Sequence, residues 1–511
     1  MHTHRIKNSI STLLLCLCAH LSYGQNYNYG VSITDFGAKG DSVTINTNEI
    51  QAAIDHVLSK GGGTVLIPSG TFLTGTLILG SNVHVYFSPG AIIRGSSELG
   101  DYARYQNGNQ MGIFFAQDQS NITISGEGII DGNGRSFIYP NRVKDLPLDL
   151  KSFTRQKSAY LDTTKGIQDG PVVPFEHKRP YQTLLFSGVK NLNITNITII
   201  DAPFWAVHVA DSDYIQVSGV RIRNSLLMPN SDGLNFTSSS NIIISDCDII
   251  AGDDALAFSG YSSHYELPGY RQLAKNSENV TVTNCLLKSR SSAIRVGGLD
   301  QNSLKNYSFS NITIYDSNRG IGLFVHQDGN IENIQFNDIQ IETRLHTGDW
   351  WGNGEPIHIS VIKGAPLKGQ LGSLKNVSFS NIYATSEAGI LVYSDKENQI
   401  EQLRFTNVHL TIVNGQLQDE YGGNFDLRPA FELQKNIFEH DVPGIYLKNV
   451  NKIELDRLSI RWGEQMHTNF KYGLMAENVK GIRSHHLSIN APRSNELAYV
   501  LNNSDPIINE D

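Results

Sequence analysis

Cysteine is scarce in this chain, which has 4 cysteines among 511 residues. Cys16 and Cys18 lie in an apolar N-terminal segment, so only Cys247 and Cys285 remain in the rest of the sequence. Two cysteines are too few for a disulfide-stabilised scaffold or for a cysteine-ligated metal site. Both of those classes are therefore excluded.

Positive charge is also in short supply, because 41 Lys and Arg residues stand against 50 Asp and Glu residues, for a formal net charge of -9. A nucleic-acid-binding protein usually carries a basic surface, so no nucleic-acid partner is expected. Beyond the N-terminal segment, no apolar run is long enough to span a bilayer. We expect no membrane span.

The N-terminal segment, residues 1–24, has the pattern of a secretory signal peptide. It begins with the basic residues Arg5 and Lys7, continues with a mostly apolar stretch from Ile10 to Leu21, and ends on the small residue Gly24. This order of basic, apolar and small residues is typical of a segment removed on export. We expect the protein to be periplasmic or extracellular.

The sequence contains a repeat in which an apolar-x-polar-apolar-x-apolar segment recurs along the chain. The segments are ITNITI (194), VSGVRI (217), ISDCDI (244), VTNCLL (282), FSNITI (309), FNDIQI (336), FSNIYA (379) and FTNVHL (405). Their third residues are Asn196, Gly219, Asp246, Asn284, Asn311, Asp338, Asn381 and Asn407. These residues follow one another at intervals of 23 to 43 residues, the length of one coil with two longer insertions.

Short strands with Asn, Gly or Asp at a fixed corner predict an all-β fold, a parallel β-solenoid formed as one domain over residues 25–511. Asn and Asp suit the corner because they tolerate a left-handed backbone. The residue after each corner is apolar and should fill the core, which makes Cys247 and Cys285 core neighbours and leaves a disulfide between them open. Residues 47–59 have the spacing of a short amphipathic helix, which should cap the N-terminal end.

A second strand follows each corner, at WAVHVA (205), DGLNFT (232), DALAFS (254), SAIRVG (292) and RGIGLF (319). Aligning these strands produces a column of small residues, namely Ala206, Gly233, Ala255, Ala293 and Gly320. Strand alternation places this column outward, where we expect a flat floor that a ligand can approach closely.

Three acids stand beside the predicted floor, Asp232 on one coil and Asp253 and Asp254 on the next. Carboxylates this close should repel one another and raise at least one pKa. Glycosidic hydrolysis needs such a set, because one protonated carboxyl donates to the leaving oxygen while another deprotonates a water. NSDG (230–233) alone could be an Asx-type turn and GDD (252–254) a solvated corner, but their convergence favours a functional site.

The next outward column contains His208, Asn235 and Arg295. These side chains are candidate substrate contacts, and the alternative is that they are solvated residues of the strand ladder.

At these residues the chain resembles glycoside hydrolase family 28, the polygalacturonase family of right-handed parallel β-helices. The resemblance rests on ITDFGAKGD (33–41), GGGTVLIPSGTF (61–72), GEGIIDGNG (126–134), RPYQTLLF (179–186) and APFWAVH (202–208), and on NSDG followed by GDD. It implies a right-handed, pectate-lyase-like β-helix in which Asp253 is the general acid. Asp232 and Asp254 would then activate the water of an inverting reaction, and Asn230 would support the site.

Two motifs of the family are missing. Where polygalacturonases carry Gly-His-Gly the chain has Ser291-Ser292-Ala293, and where they carry Arg-Ile-Lys, which grips the galacturonate carboxylate, it has Gly322-Leu323-Phe324. Arg295 and Arg319 lie on the coils of the missing motifs and could supply a displaced cation. Homogalacturonan, a rhamnogalacturonan-like linkage and other galactose- or uronate-containing glycans all remain open as substrates.

Loop insertions near 135–178, 345–356 and 415–441 interrupt the repeat. The second insertion offers Trp350 and Trp351, which could stack on sugar rings or pack under their own loop. The third includes YGGNFDLRPAF (421–431), which could close one end of a cleft and favour terminal over internal cleavage.

Three functions are compatible with these patterns. The leading one is an inverting glycoside hydrolase that acts as a monomer on a polysaccharide or its oligosaccharides, without a metal or cofactor. The second is a polysaccharide lyase on the same fold, in which the acids would hold Ca²⁺ and Arg295 would act as base. The third is a noncatalytic glycan-binding solenoid, which the three converging acids disfavour.

Overall fold

The computed structural model describes residues 30–143, 172–174, 178–262, 271, 274–346, 350–364, 369–415, 424–427, 437–438 and 440–508. The predicted signal segment, most of the insertions near 135–178 and 415–441, and residues 347–349 of the second insertion lie outside the described residues. Among the described residues, no helix is long and apolar enough to cross a membrane.

The chain winds into a right-handed parallel β-helix, as the repeat and the family resemblance predict. Strands of successive coils pair in parallel and form a 22-stranded sheet and a 13-stranded sheet. An antiparallel hairpin of β11 (Ile138–Val143) and β12 (Val172–Pro174) stands apart from both sheets.

The 22-stranded sheet comprises β1 (Val31–Ser32), β2 (Asp41–Ile45), β3 (Gly63–Ile67), β4 (Gly70–Thr74), β6 (Val83–Phe87), β7 (Ala91–Gly95), β9 (Ser120–Gly126), β10 (Ile129–Asp131), β14 (Lys190–Thr195), β15 (Thr198–Ile200), β17 (Asp213–Ser218), β18 (Arg221–Arg223), β20 (Ser240–Ser245), β21 (Asp248–Ala251), β23 (Ser277–Ser289), β25 (Leu304–Ser317), β27 (Ile331–Thr343), β29 (Leu374–Ser386), β31 (Ile400–Ile412), β33 (Val450–Trp462), β35 (Lys480–His485) and β36 (Ser488–Ile489). The 13-stranded sheet comprises β5 (Leu77–Ile78), β8 (Phe114–Gln117), β13 (Leu184–Ser187), β16 (Val207–Ala210), β19 (Leu234–Thr237), β22 (Leu256–Ser259), β24 (Ser292–Gly298), β26 (Arg319–Val325), β28 (Glu355–Val361), β30 (Ile390–Ser394), β32 (Val442–Lys448), β34 (Phe470–Glu477) and β37 (Leu497–Asn502).

The predicted corner residues adopt the left-handed backbone that the repeat requires. Asn196, Asp246 and Asn284, for example, all have φ of 57°. The corner side chains also bond from coil to coil, since the Asn311 amide donates to Asn284 Oδ1 at 2.7 Å. The polar column is therefore a hydrogen-bonded ladder on the surface.

The core is a stack of apolar side chains inside the coils. The rings of Phe309, Phe336, Phe379 and Phe405 lie parallel to one another, with centroids 4.8 to 5.0 Å apart. Buried apolar area of this kind is the main stabilising contribution to folding. Cys247 and Cys285 belong to this core as buried free thiols, as expected from their column.

Helix α1 (Thr47–Ser59) covers the N-terminal end, as predicted. Its buried residues Ile50, Ala53, Ile54 and Val57 form one apolar face, which packs on the first coils. The exposed end of the solenoid core is thereby shielded from water.

The column of small residues is not an outer floor, and this prediction is wrong. Ala206, Ala255 and Ala293 are fully buried in the hydrophobic core. A Cβ on Gly233 would lie 2.6 Å from Cγ2 of the core residue Ile249. Ala206, Gly233 and Ala255 lie at the bend that precedes β16, β19 and β22, where the in-out alternation of a strand does not hold, so that they and the residues after them both face inward.

Candidate active site

The site lies on the outward face of the 13-stranded sheet. Strands β16, β19, β22, β24, β26 and β28 pair in register, so that six outward residues stack across the coils. These residues are His208, Asn235, Ala257, Arg295, Gly322 and His358. The three predicted acids lie in the turns that lead into β19 and β22, at one edge of this face.

Two interlocked turns hold the acids. Gly252 sits so close to the preceding turn that a Cβ would lie 2.4 Å from the carbonyl oxygen of Ser225 and 2.5 Å from that of Met228. The Gly252 N–H also donates to Ser231 Oγ at 3.2 Å. Only glycine fits this contact, which brings the NSDG and GDD turns together.

Asp232, Asp253 and Asp254 converge, since one oxygen from each lies within 4.8 Å of those from the other two. Asp232 and Asp254 are buried, whereas Asp253 is half-buried and is the most accessible of the three. Asp253 Oδ2 accepts hydrogen bonds from the backbone N–H and the amide of Asn230, at 3.2 and 3.4 Å. The structure therefore places the four residues predicted from NSDG and GDD in one cluster.

Burial and mutual repulsion perturb two of these acids. Burial, reinforced by the charge of Asp254, raises the pKa of Asp253 from 3.8 to about 7, against the opposing effects of Arg295 and the Asn230 N–H. Burial also raises the pKa of Asp232 well above its usual value, with Asp253 and Asp254 adding to the effect. A carboxyl that stays protonated near neutral pH is suited to act as a general acid.

Arg295 is part of the acid cluster. Its Nε lies 2.5 Å from Asp254 Oδ2, and its Nη1 donates to Tyr261 Oη at 3.1 Å and to the Gly297 carbonyl at 3.0 Å. Asp254 Oδ1 accepts the Ser292 N–H at 2.9 Å. These contacts tie Asp254 to Arg295 and to the start of β24.

His208 and Asn235 are buried rather than exposed to a ligand. The two nitrogens of His208 lie 3.4 Å from Gln182 Nε2 and 3.0 Å from Thr237 Oγ1, and burial lowers the pKa of its ring to about 3. The amide of Asn235 is buried and has no hydrogen-bond partner among the residues that the structure describes. As placed, His208 presents no surface to a sugar, so the structure corrects its prediction as a substrate contact.

Arg319 lies in a separate buried cluster and is only 1% exposed. Its Nε is 3.8 Å from Glu355 Oε2, its Nη2 donates to the Asp426 carbonyl at 3.1 Å, and its guanidinium lies over the Phe324 ring. A Cβ on Gly322 would meet that same ring at 2.4 Å. Arg319 is therefore not available as a displaced uronate grip, which corrects that prediction.

The two tryptophans of the second insertion have different environments. Trp350 is 4% exposed and packs into the protein, whereas Trp351 is 43% exposed. The backbone of this segment is held by the Asn318 amide, which donates to the carbonyls of Trp351 and Gly352, both at 2.8 Å. Trp351 alone of the pair presents a ring to solvent.

Sequence reasoning missed Arg179 and Tyr261. Arg179 Nη2 donates to Asn230 Oδ1 at 3.0 Å, and Tyr261 is the partner of Arg295. Arg179 is the first residue of the RPYQ segment, which precedes the fully buried strand β13. An arginine just before a buried strand was the sequence signal that could have identified it. Tyr261 follows β22 in an irregular segment and carried no sequence signal.

The acids could bind a cation by their spacing, but the surrounding charge argues against one. Calcium takes six to eight oxygen ligands. Here one of the three carboxylates already pairs with Arg295, and a second positive charge beside the guanidinium would be repelled. The arrangement suits proton transfer better than metal binding.

The chain is similar to one known protein family and to several known proteins. The model of glycosyl hydrolases family 28 matches residues 60–421. The chain is 28% identical over 246 residues to a probable polygalacturonase of Vitis vinifera, covering 45% of this chain and 44% of the relative. It is 29% identical over 257 residues to an exo-poly-alpha-D-galacturonosidase of Dickeya chrysanthemi, covering 45% and 41%. The chain thus spans less than half the length of these two curated relatives.

Among solved structures, the family 28 exopolygalacturonase of Yersinia enterocolitica superposes with a TM-score of 0.59 at 19% identity, over 88% of this chain and 77% of that one. An exopolygalacturonase from Thermotoga maritima superposes with a TM-score of 0.50 at 19% identity, over 89% and 91%. At this identity the superpositions establish the shared fold.

Proposed function

Because the chain belongs to family 28 of the glycosyl hydrolases, we propose that it hydrolyses glycosidic bonds in a pectin-like or other galactose- or uronate-containing polysaccharide, or in its oligosaccharides. The observation that supports this most directly is the convergence of Asp232, Asp253 and Asp254. Export, which residues 1–24 predict, would bring the enzyme to polysaccharide outside the cytoplasm.

Asp253 is proposed as the general acid. It is the most accessible of the three carboxyls, and its pKa of about 7 keeps it protonated at mildly acidic pH. Its proton passes to the glycosidic oxygen as the bond from that oxygen to the anomeric carbon breaks. Asp253 is left as a carboxylate, which the two donors of Asn230 stabilise.

Asp232 and Asp254 are proposed to hold and deprotonate the attacking water. Oxygens within 4.8 Å of one another can both bond one water, since each such bond is about 2.8 Å long. The water oxygen forms the new bond to the anomeric carbon and its proton passes to this pair of acids. Direct attack by water inverts the anomeric configuration.

The bound sugar is proposed to be neutral at the reacting position. The family's cationic motif is replaced by a glycine and the buried ring of Phe324. Arg295 has Nε 2.5 Å from Asp254 Oδ2 and donates from Nη1 to Tyr261 and Gly297, so two of its three nitrogens already contact groups of the protein. A uronate held by Arg295 is the second candidate.

A panel of pectic, galactan and algal polysaccharides, screened for released reducing sugars, tests the proposal. Proton NMR during the first turnovers should show the inverted anomer before mutarotation. Retention of configuration would contradict the direct attack of water.

The calcium-dependent lyase is the alternative. Hydrolysis should persist in chelator and yield saturated products. Unsaturated products that disappear with chelator and return with Ca²⁺ would assign the three acids to a metal site instead.

A further inference from the structure

Arg179 is a buried cation whose hydrogen bonds, among the described residues, go to uncharged groups: three oxygens and the sulfur of Met228. Its Nη1 donates to the carbonyls of Pro203 and Pro229, at 2.8 and 2.6 Å, and its guanidinium lies 4.9 Å from the centroid of the Phe204 ring. Burial lowers the pKa of Arg179 to about 10, so it remains charged at neutral pH. Burying a guanidinium costs free energy unless its donors are hydrogen-bonded. Because moving Arg179 would break these hydrogen bonds, its guanidinium is held in one position.

The second arm of Arg179 fixes the orientation of an amide. Nη2 donates to Asn230 Oδ1 at 3.0 Å. Arginine carries donors only, so the group that faces it must be the amide oxygen. The amide nitrogen of Asn230 is thereby turned toward Asp253.

Asn230 in turn binds the carboxyl group of Asp253. Its backbone N–H and its amide nitrogen both donate to the same oxygen, Asp253 Oδ2. The backbone of Asn230 is left-handed, with φ of 59°, and this conformation directs its N–H toward Asp253. The carbonyl next to it, that of Pro229, is one of the groups that Arg179 binds. Arg179 therefore supports both the turn and the amide that hold Asp253.

We propose that Arg179 is a positioning residue for the hydrolysis, because it fixes the Asn230 amide and Asn230 in turn orients Asp253 for proton donation. The inference rests on the proposed function of Asp253. Arg179 itself touches no reacting atom in this arrangement. Its effect on the orientation of Asp253 passes through Asn230, whose turn and amide it supports.

The charge of Arg179 gives the proposal a second readout. The charged and titratable groups around Asp253 are Asp232, Asp254, Arg295 and Arg179. Removing Arg179 takes away a nearby positive charge and frees the Asn230 amide, and both changes raise the pKa of Asp253. Since Asp253 must be protonated to act, activity should then persist to higher pH.

The first experiment compares Arg179→Met, Arg179→Lys and wild type on the best substrate of the panel. We expect Arg179→Met to lower kcat by about 10- to 100-fold with little change in KM, because a misoriented acid costs rate rather than binding. Its basic limb should move up by roughly one pH unit. Arg179→Lys keeps the charge but not the two-armed geometry, so it should move the basic limb less than Arg179→Met does while losing part of kcat. A wild-type kcat and pH profile in Arg179→Met would overturn the proposal.

Arg493→Met is the matched control. Arg493 also binds backbone carbonyls, those of Met466 and Thr468 both at 3.2 Å, but it lies on the C-terminal coils. Its loss should lower thermal stability and leave kcat and the pH profile unchanged. Equal effects on kcat in both variants would show that Arg179 acts only through general stability.

A double-mutant cycle tests the route through Asn230. If Arg179 acts mainly through that amide, Arg179→Met should lower kcat by a much smaller factor in an Asn230→Ala background than in the wild-type background. Multiplicative losses in the double variant would overturn the route.

A substrate-free measurement separates this inference from the proposed function. Difference infrared spectroscopy, with Asp253→Asn as the reference, follows the carboxyl band of Asp253 through its titration. A higher pKa in Arg179→Met would support the positioning role even if no tested glycan were cleaved, and an unchanged pKa would refute it.

Discussion

Replacing Asp253 with asparagine should abolish hydrolysis and, at neutral pH and above, make the protein more stable. The carboxyl is held between Asn230 and the other acids at a pKa of about 7, compared with 3.8 for an ordinary aspartate. Between these values the folded state binds more protons than the unfolded state, so stability falls as pH rises from about 4 to about 7. A pKa difference of this size corresponds to roughly 4 kcal/mol above pH 7.

Asparagine removes that electrostatic cost, but it also loses a hydrogen bond. Asp253 Oδ2 faces two donors from Asn230 and Oδ1 accepts the Asp254 N–H at 3.0 Å, so an amide NH₂ must oppose a donor on one side. One lost hydrogen bond costs about 1 to 3 kcal/mol. The net change is a gain of about 1 to 3 kcal/mol at pH 8 and a loss of about the same size at pH 4, where wild-type Asp253 is largely protonated.

Thermal unfolding of wild type and Asp253→Asn, scanned from pH 4 to pH 8 at one heating rate, measures this reversal. In parallel, the rate of hydrolysis should fall by about 10²- to 10⁴-fold, as for loss of a general acid. If the variant is less stable than wild type at pH 8, the reasoning from burial and repulsion is wrong, and near-normal activity would remove Asp253 from its role.

Asp300→Asn is the control for this experiment. Burial raises the pKa of Asp300 to about 7 as well, but this carboxyl bonds the Gly260 N–H at the far end of β22. The variant should show the same gain in stability above pH 7 while its activity stays within a few-fold of wild type.

Three further predictions concern the rest of the site. Arg295→Met should move the basic limb of the activity profile to higher pH, because Arg295 lowers the pKa of Asp253, and an unchanged limb would exclude that influence. Unsubstituted polygalacturonate should be a poor substrate, since two missing charge-assisted hydrogen bonds, at about 1.5 to 3 kcal/mol each, weaken binding by more than roughly 100-fold. Rapid release of galacturonic acid, unaffected by Arg295→Ala, would contradict this prediction. Trp351→Ala should raise KM by about 2- to 12-fold without lowering Tm, as expected for loss of an exposed stacking ring. Trp350→Ala should instead lower the free energy of unfolding by about 3 to 5 kcal/mol, because this ring is buried. The reverse pattern, measured by calorimetry and kinetics, would refute the assignment of Trp351 to the sugar and Trp350 to the core.

The sequence by itself determined the fold and the composition of the acid cluster. A corner residue such as Asn284 must accept a left-handed backbone, and the apolar residue beside it must be buried. These two requirements recur once per coil, so the length of each coil can be read from the sequence. NSDG and GDD lie one coil apart, and parallel stacking necessarily brings such neighbours together. Local conformation and coil spacing were sufficient for these inferences.

Only the tertiary structure decided which side chains face the site. The column of Gly233 turned inward because a bend interrupts strand alternation, and the sequence pattern does not mark where that bend falls. Arg295 and Arg319 lie on neighbouring coils and both looked available to a ligand, yet Arg319 is buried against Glu355 while Arg295 pairs with Asp254. Arg179 reaches Asn230 across 51 residues of sequence. Contacts of this kind depend on how long side chains pack between coils, and no local periodicity encodes that packing.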